Sequence, residues 1–240
     1  MNGLIALVGS GEYLPVMEEV DRHLLGSRHV NGSKPRVVCL PTAAGREGDA
    51  SVNRWSHMGV EHFGQLGADV TALPIIDRES ANREEYASAL ENADLIYFSG
   101  GNPGYLYETM KDTRAWNAAQ RAWARGAVYA GCSAGAMILG KRIPGFRLMK
   151  TQAGFGIFPA EYIIPHFDAF PAVWRPMVFA LQKALKDGQR MVGIDEDTAL
   201  VGTLQGEWHV MGKSEVHVFT HEGKTTYRAG DLVPIVQETV

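Results

Sequence analysis

The chain has 240 residues and a mass of 26.2 kDa, enough for one large α/β domain or two small ones and too long for a disulfide-stapled miniature scaffold. Its 45% hydrophobic and 21% charged residues are those of a globular protein with a conventional core. The net charge of −4, with no basic block along the chain, argues against a nucleic-acid partner.

In chain order, apolar runs rich in β-branched residues recur between turn residues: Leu4 to Val8, Arg36 to Leu40, Asp69 to Leu73, Asp94 to Phe98, Ala127 to Ala130, Tyr162 to Ile164 and Met191 to Ile194. Such runs are expected of strands buried on both faces. Helical spacing fills the intervals, as in Trp55, Met58, His62, Phe63 and Leu66, or Trp116, Ala119 and Trp123. Alternating strand and helix predicts a mostly parallel sheet with helices on both faces, a three-layer αβα sandwich. Thr113 suits an N-cap, Gly126 a position just past a helix end, and Pro176 should delay or kink the helix within 171–186. After residue 198 the pattern changes. Ala199 to Thr203, Glu207 to Met211, Glu215 to Thr220 and Thr225 to Arg228 alternate and are split by glycines, which predicts an antiparallel meander appended to the sheet. No repeat or linker interrupts the chain, so residues 1–240 are expected to form one domain.

Cys39 and Cys132 are the only cysteines, both inside apolar runs, and they give neither a disulfide framework nor a zinc spacing. The first apolar run is too short for a signal core or a membrane span. The expectation is a reduced, cytoplasmic protein without membrane partner, metal or cofactor. Exposed meander edges would allow a homodimer.

The most informative segment is Gly126-Ala-Val-Tyr-Ala-Gly-Cys-Ser-Ala-Gly-Ala-Met137. It sets Gly131-x-Ser133-x-Gly135 between a strand and a small-residue helix, the setting of a nucleophile elbow. Gly131, Ala134, Gly135 and Ala136 keep the tight turn free of clashes, and the following helix start points N–H groups at charge near Ser133. Cys132, one position off the apex, is expected to point into the sheet. Phe98-Ser-Gly-Gly-Asn-Pro-Gly104 is a glycine loop at the adjacent strand end. From it the Gly101 N–H, together with that of Ala134, would reach an oxyanion. Gly100 and Asn102 of the same loop are the substrate-binding candidates.

A serine nucleophile needs a base, and of the 8 histidines His166, in Ile163-Ile-Pro-His-Phe-Asp168, follows a buried strand directly. His23, His29, His57 and His62 read as helix-surface residues, and His209, His217 and His221 as exposed meander positions without a metal spacing. Gly193-Ile-Asp-Glu-Asp-Thr198 offers Asp195, Glu196 and Asp197 at another strand end as the acid that orients the base.

With Gly100-Gly101-Asn102, Gly131-Cys-Ser-Ala-Gly-Ala136, Pro165-His-Phe167 and Gly193-Ile-Asp-Glu-Asp-Thr-Ala199 in this order, the chain resembles the S51 serine peptidases, which include peptidase E and the cyanophycinases. The resemblance implies a fold similar to class I glutamine amidotransferases, Ser133 as nucleophile, His166 as base and Glu196 as acid, with Gly101 and Ala134 as oxyanion donors. It implies a small peptide or isopeptide as substrate. The chain differs from the cyanophycinase pattern after His166, where no arginine occurs before Arg175, and at Pro103, where those enzymes carry glutamine.

The competing enzymatic reading is an α/β-hydrolase-type esterase using Asp195 with His209, His217 or His221. The non-enzymatic reading is an amidotransferase-like module that binds a small molecule. A dinucleotide site is disfavoured because Leu14 stands where the last glycine after Gly9-Ser10-Gly11 should be.

Overall fold

The structure, a computed structural model, describes residues 3–27, 33–145 and 151–235. In chain order the regular elements are β1 (Ile5–Val8), α1 (Glu18–Gly26), β2 (Arg36–Leu40), α2 (Asp49–Gln65), β3 (Asp69–Ala72), α3 (Glu84–Glu91), β4 (Leu95–Phe98), α4 (Pro103–Met110) and α5 (Arg114–Ala124). They continue with β5 (Val128–Cys132), α6 (Ala134–Met137), β6 (Arg142–Ile143), β7 (Gln152–Ala153), β8 (Tyr162–Ile164), α7 (Arg175–Lys183) and β9 (Met191–Ile194). Strands β10 (Thr198–Gly202), β11 (Trp208–Gly212), β12 (Glu215–Phe219), β13 (Lys224–Arg228) and β14 (Leu232–Val233) complete the described chain.

An 8-stranded sheet has the order β14-β11-β10-β1-β5-β4-β2-β3. Strands β1, β5, β4, β2 and β3 run parallel, while β10, β11 and β14 continue the sheet antiparallel from β1. Successive residues of a strand face opposite sides, and both sides are covered. Ile5, Leu7, Val38, Leu40, Ile96 and Phe98 pack with Leu90, Leu106 and Trp116 of α3, α4 and α5. Ala6, Val8, Val37, Cys39, Leu95 and Tyr97 pack with Val20, Leu24 and Phe63 of α1 and α2. The expected three-layer α/β architecture follows directly from these apolar runs.

The local punctuation agrees as well. Thr113 caps α5, its hydroxyl accepting from the Trp116 N–H at 3.3 Å, and Gly126 takes φ +103° beyond the helix end. Pro176 sits in the first turn of α7, after a 3-10 turn at Ala172–Trp174.

The meander divides in a way that the alternation of its residues does not reveal. β12 and β13 leave the main sheet and pair with β9, which pairs with β8, in a 4-stranded sheet of order β13-β12-β9-β8. The strands Tyr162–Ile164 and Met191–Ile194 therefore run parallel to each other in this second sheet and not in the main one. On one face of it Val178 of α7, with Leu185 just beyond the helix, packs with Tyr162, Ile164, Met191 and Phe219 of the strands. The loops that follow β8 and β9 meet the ends of β1 and β5 at the seam between the sheets.

Candidate active site

β5 ends at Cys132, and Ser133 follows with φ 49° and ψ −104° before the single turn of α6. A left-handed φ on a serine is strained, and it holds the side chain at the apex of the turn. The crowding beneath explains the glycines. A Cβ on Gly131 would lie 2.4 Å from the Gly135 carbonyl carbon, and one on Gly135 would lie 2.7 Å from the Phe98 carbonyl oxygen. With only 4 residues, α6 contributes local N–H groups rather than a sizeable helix dipole.

His166 follows β8, also with a left-handed φ of 51°. Its Nδ1 lies 2.9 Å from Glu196 Oε1 and its Nε2 lies 3.1 Å from Ser133 Oγ. An ionised carboxylate only accepts, so Nδ1–H donates to Glu196 and the Nε2 lone pair accepts from the Ser133 hydroxyl. The structure thus brings Ser133, His166 and Glu196 into one hydrogen-bonded chain. The His166 and Glu196 side chains are 42% and 44% exposed, so the pair is open to solvent.

Two loops hold the acid-bearing turn. The Glu196 N–H donates to Asp168 Oδ1 at 2.8 Å, and the Asp197 N–H donates to Ser10 Oγ at 3.2 Å. Gly9 is required here because a Cβ would fall 2.0 Å from the Asp195 carbonyl oxygen. The Gly9-Ser10-Gly11 segment, which resembled part of a dinucleotide motif, is where the main sheet receives the turn of the second sheet.

The two other acids are engaged elsewhere. Asp195, 3% exposed, accepts from Ser214 Oγ at 2.8 Å and from the Glu215 N–H at 3.2 Å, and pairs with His217 Nε2 at 3.0 Å. Asp197 has Lys213 Nζ at 3.8 Å. His217 corrects the expectation of an exposed strand histidine: it is buried, and its Nδ1 meets Thr226 Oγ1 at 3.0 Å rather than a serine nucleophile. His209 and His221 lie beside Glu207 and Asp187, and His62 pairs with Asp21 at 2.8 Å. His29 lies outside the described residues. Asp195, Glu215 and His217 place one ligand atom each within 4.8 Å of one another, the cluster among the described residues that could hold a metal. It is already satisfied by its own hydrogen bonds and by Ser214 and Thr226.

The glycine loop after β4 reaches the nucleophile. Gly101 has φ +140°, and a Cβ there would lie 2.5 Å from the Ala43 carbonyl oxygen. Neither the Gly101 nor the Ala134 N–H donates to a described backbone acceptor. Gly100 and Asn102, expected to bind substrate, have internal partners. The Gly100 N–H donates to Glu12 Oε1 at 2.9 Å, and Asn102 Oδ1 caps α4 by accepting from the Tyr105 N–H at 2.9 Å.

The model of Peptidase family S51 matches residues 5–207. The chain belongs to peptidase family S51. Among curated S51 relatives, a cyanophycinase of Synechococcus elongatus is 28% identical over 198 residues, 78% of this chain and 59% of that protein. A cyanophycinase of Trichormus variabilis is 26% identical over 225 residues, 89% of this chain and 72% of the relative. The chain thus spans about three fifths of the length of the Synechococcus protein. Among solved structures, a peptidase from an acI-B1 Actinobacterium superposes with a TM-score of 0.87 at 37% identity, covering 97% of each chain. A putative peptidase E from Listeria monocytogenes superposes with a TM-score of 0.59 at 20% identity over 96% of this chain and 100% of that one, which shows the fold alone.

For this S51 chain, sequence reasoning did not single out Glu12, Asp168 or Ser10. Asp168 stands two residues after His166, and Glu12 directly follows the glycine loop of β1. For Ser10 and Glu12 a polar residue beside a strand-end glycine is the available signal, and it does not reveal which loop the side chain will reach.

Proposed function

We propose that this S51 chain is a serine peptidase cleaving a peptide or isopeptide-like amide bond of a small substrate through an acyl-enzyme. The observation that carries the reading is the continuous chain from Ser133 Oγ through His166 to Glu196, with both links at hydrogen-bond distance. Ser133 Oγ attacks the scissile carbonyl while His166 Nε2 takes its proton, and Glu196 stabilises the imidazolium and holds its tautomer. The N–H groups of Gly101 and Ala134 stabilise the oxyanion. Collapse of the tetrahedral intermediate expels the amine, which receives the proton from Nε2, and a water activated by the same nitrogen releases the acid.

The left-handed φ of Ser133 supports this role, since strain at a turn apex is retained where it presents a reactive group. The exposed His166–Glu196 pair suits a short substrate that need not thread a deep channel. The curated relatives described above are named cyanophycinases, which agrees with an amide-bond substrate.

Intact-mass spectrometry after fluorophosphonate treatment tests the reading without knowledge of the substrate. The expected result is one adduct on the wild type and none on Ser133→Ala. A wild-type protein that stays unlabelled, or a Ser133→Ala protein that still labels, contradicts it.

A further inference from the structure

Glu12 is a buried carboxylate outside the triad, 8% exposed, in the loop that leaves β1. Its Oε1 accepts the Gly100 N–H at 2.9 Å and its Oε2 accepts the Cys132 S–H at 2.9 Å. These donors belong to the glycine loop after β4 and to the last residue of β5, the two segments that lead into the chemistry proposed above. Gly100 precedes Gly101, and Cys132 precedes Ser133. One side chain therefore ties together the ends of β1, β4 and β5.

The packing leaves this arrangement little freedom. A Cβ on Gly100 would fall 2.8 Å from Glu12 Oε1 and 3.4 Å from Ser133 Cβ, so carboxylate, loop and nucleophile are in close succession. Burial pushes the Cys132 thiol well above its ordinary pKa, and the neighbouring Glu12 charge pushes the same way. The thiol accordingly remains a donor, not a nucleophile. A negative charge beside a developing oxyanion opposes the reaction, so the charge itself is no catalytic advantage. What a carboxylate supplies is acceptor capacity on both oxygens, one for each loop.

We infer that Glu12 is a positioning residue, a two-point acceptor that holds the Gly100–Gly101 segment against the Ser133 elbow so that the Gly101 N–H faces the substrate oxygen. The inference rests on the serine-peptidase reading above, and its test separates the two.

The measurement is the rate of fluorophosphonate labelling, with the adduct located on Ser133 by peptide mass and folding followed by thermal melts. Glu12→Ala should fold and label about 100-fold more slowly, the scale of losing one oxyanion donor. Glu12→Gln keeps one acceptor oxygen and should recover to within about tenfold of the wild type. Adding Cys132→Ser to Glu12→Gln should recover more, because a hydroxyl accepts from the new amide N–H better than a thiol does. The pH midpoint of labelling should stay unchanged, since the His166–Glu196 pair is not touched. A folded Glu12→Ala protein labelled on Ser133 at the wild-type rate overturns the inference while leaving the peptidase reading intact. Should the alanine variant fail to fold, the glutamine pair decides: a folded Glu12→Gln protein that loses labelling and is not restored by Cys132→Ser also overturns it. Failure of the wild type to label defeats the peptidase reading itself.

Discussion

Ser133 and His166 are hydrogen-bonded at 3.1 Å although they belong to different sheets, one at the end of β5 in the 8-stranded sheet and the other after β8 in the 4-stranded sheet. The site is thus assembled at a seam, and its geometry depends on the two sheets keeping their alignment. Members of such a chain act as a unit, so their losses do not add. Ser133→Ala and His166→Ala should each lower turnover of a reactive ester on the order of 10⁴-fold or more, and the double variant should be no worse than either alone. Additive losses in a kinetic comparison of the three would show two groups acting independently.

The adjacent acids Asp195 and Glu196 separate function from stability. Glu196 is half exposed and hydrogen-bonded to His166, and as the proposed acid its replacement in Glu196→Gln should slow labelling by about 10²–10⁴-fold through a disturbed imidazole tautomer. Its unfolding free energy should stay within about 0.5 kcal/mol of the wild type, as at other exposed positions. Asp195→Ala should do the reverse. It strips partners from Ser214, the Glu215 N–H and buried His217, at about 1–3 kcal/mol for a buried group left unsatisfied. Urea titrations of the two variants, set beside their labelling rates, check the crossed pattern. An Asp195→Ala protein of normal stability and no activity would move the proposed acid to Asp195.

The difference between these neighbours also marks how far the sequence could be read. Strand positions were legible because β-branched runs such as Arg36 to Leu40 end at turn residues, and the elbow because only small residues fit around Ser133. Sheet membership was not legible: the sequence of β12 alternates like that of β11, and alternation specifies a buried face without naming the partner strand, while β10 is buried at every position. Strands β6 and β7, of 2 residues each, are too short to leave a periodic signal. Nor does Asp195-Glu196-Asp197 state which carboxylate meets His166, because that depends on a turn held by Ser10 and Asp168 from distant loops. The resemblance to S51 peptidases singled out Glu196, and the structure puts Glu196 Oε1 at 2.9 Å from the ring.

Two glycines should respond in opposite ways to alanine. At Gly131 the new methyl meets backbone atoms of Gly135 at 2.4 Å, and backbone cannot swing aside as a flexible side chain does. Overpacking of this kind costs about 1–3 kcal/mol and more where nothing can yield, so Gly131→Ala should be poorly folded or inactive. Gly64 lies in the last turn of α2 with nothing within 4 Å of the added carbon. Gly64→Ala should raise stability by about 0.5–1 kcal/mol with unchanged labelling. Thermal melts of both proteins check the contrast, and a stable, active Gly131→Ala protein would show that the elbow is looser than its geometry.

The thiols give the protein an alkaline limit. Cys39 is 1% exposed, and burial pushes its pKa from the ordinary 9.0 up to about 12, against a smaller opposing effect of the Tyr13 hydrogen bond. Between those values the unfolded chain has released this proton and the folded one retains it. The folded state then binds more protons, so stability falls as pH rises through this window, at a limiting ~1.4 kcal/mol per pH unit for one such group. Below pH 9 Cys39 contributes no slope. Buried Cys132 and Tyr13, with pKa values also raised by burial, act in the same direction. Replacing Cys39 by alanine should therefore flatten only part of the decline between pH 9 and 12, whatever it does to the stability at pH 8. Urea midpoints across pH 8–11 for wild type and Cys39→Ala measure this slope difference. Neither thiol should react with iodoacetamide at pH 8 until the protein unfolds, and rapid alkylation of the native protein, or parallel pH curves for the two proteins, would place Cys39 in a far more accessible environment than its burial indicates.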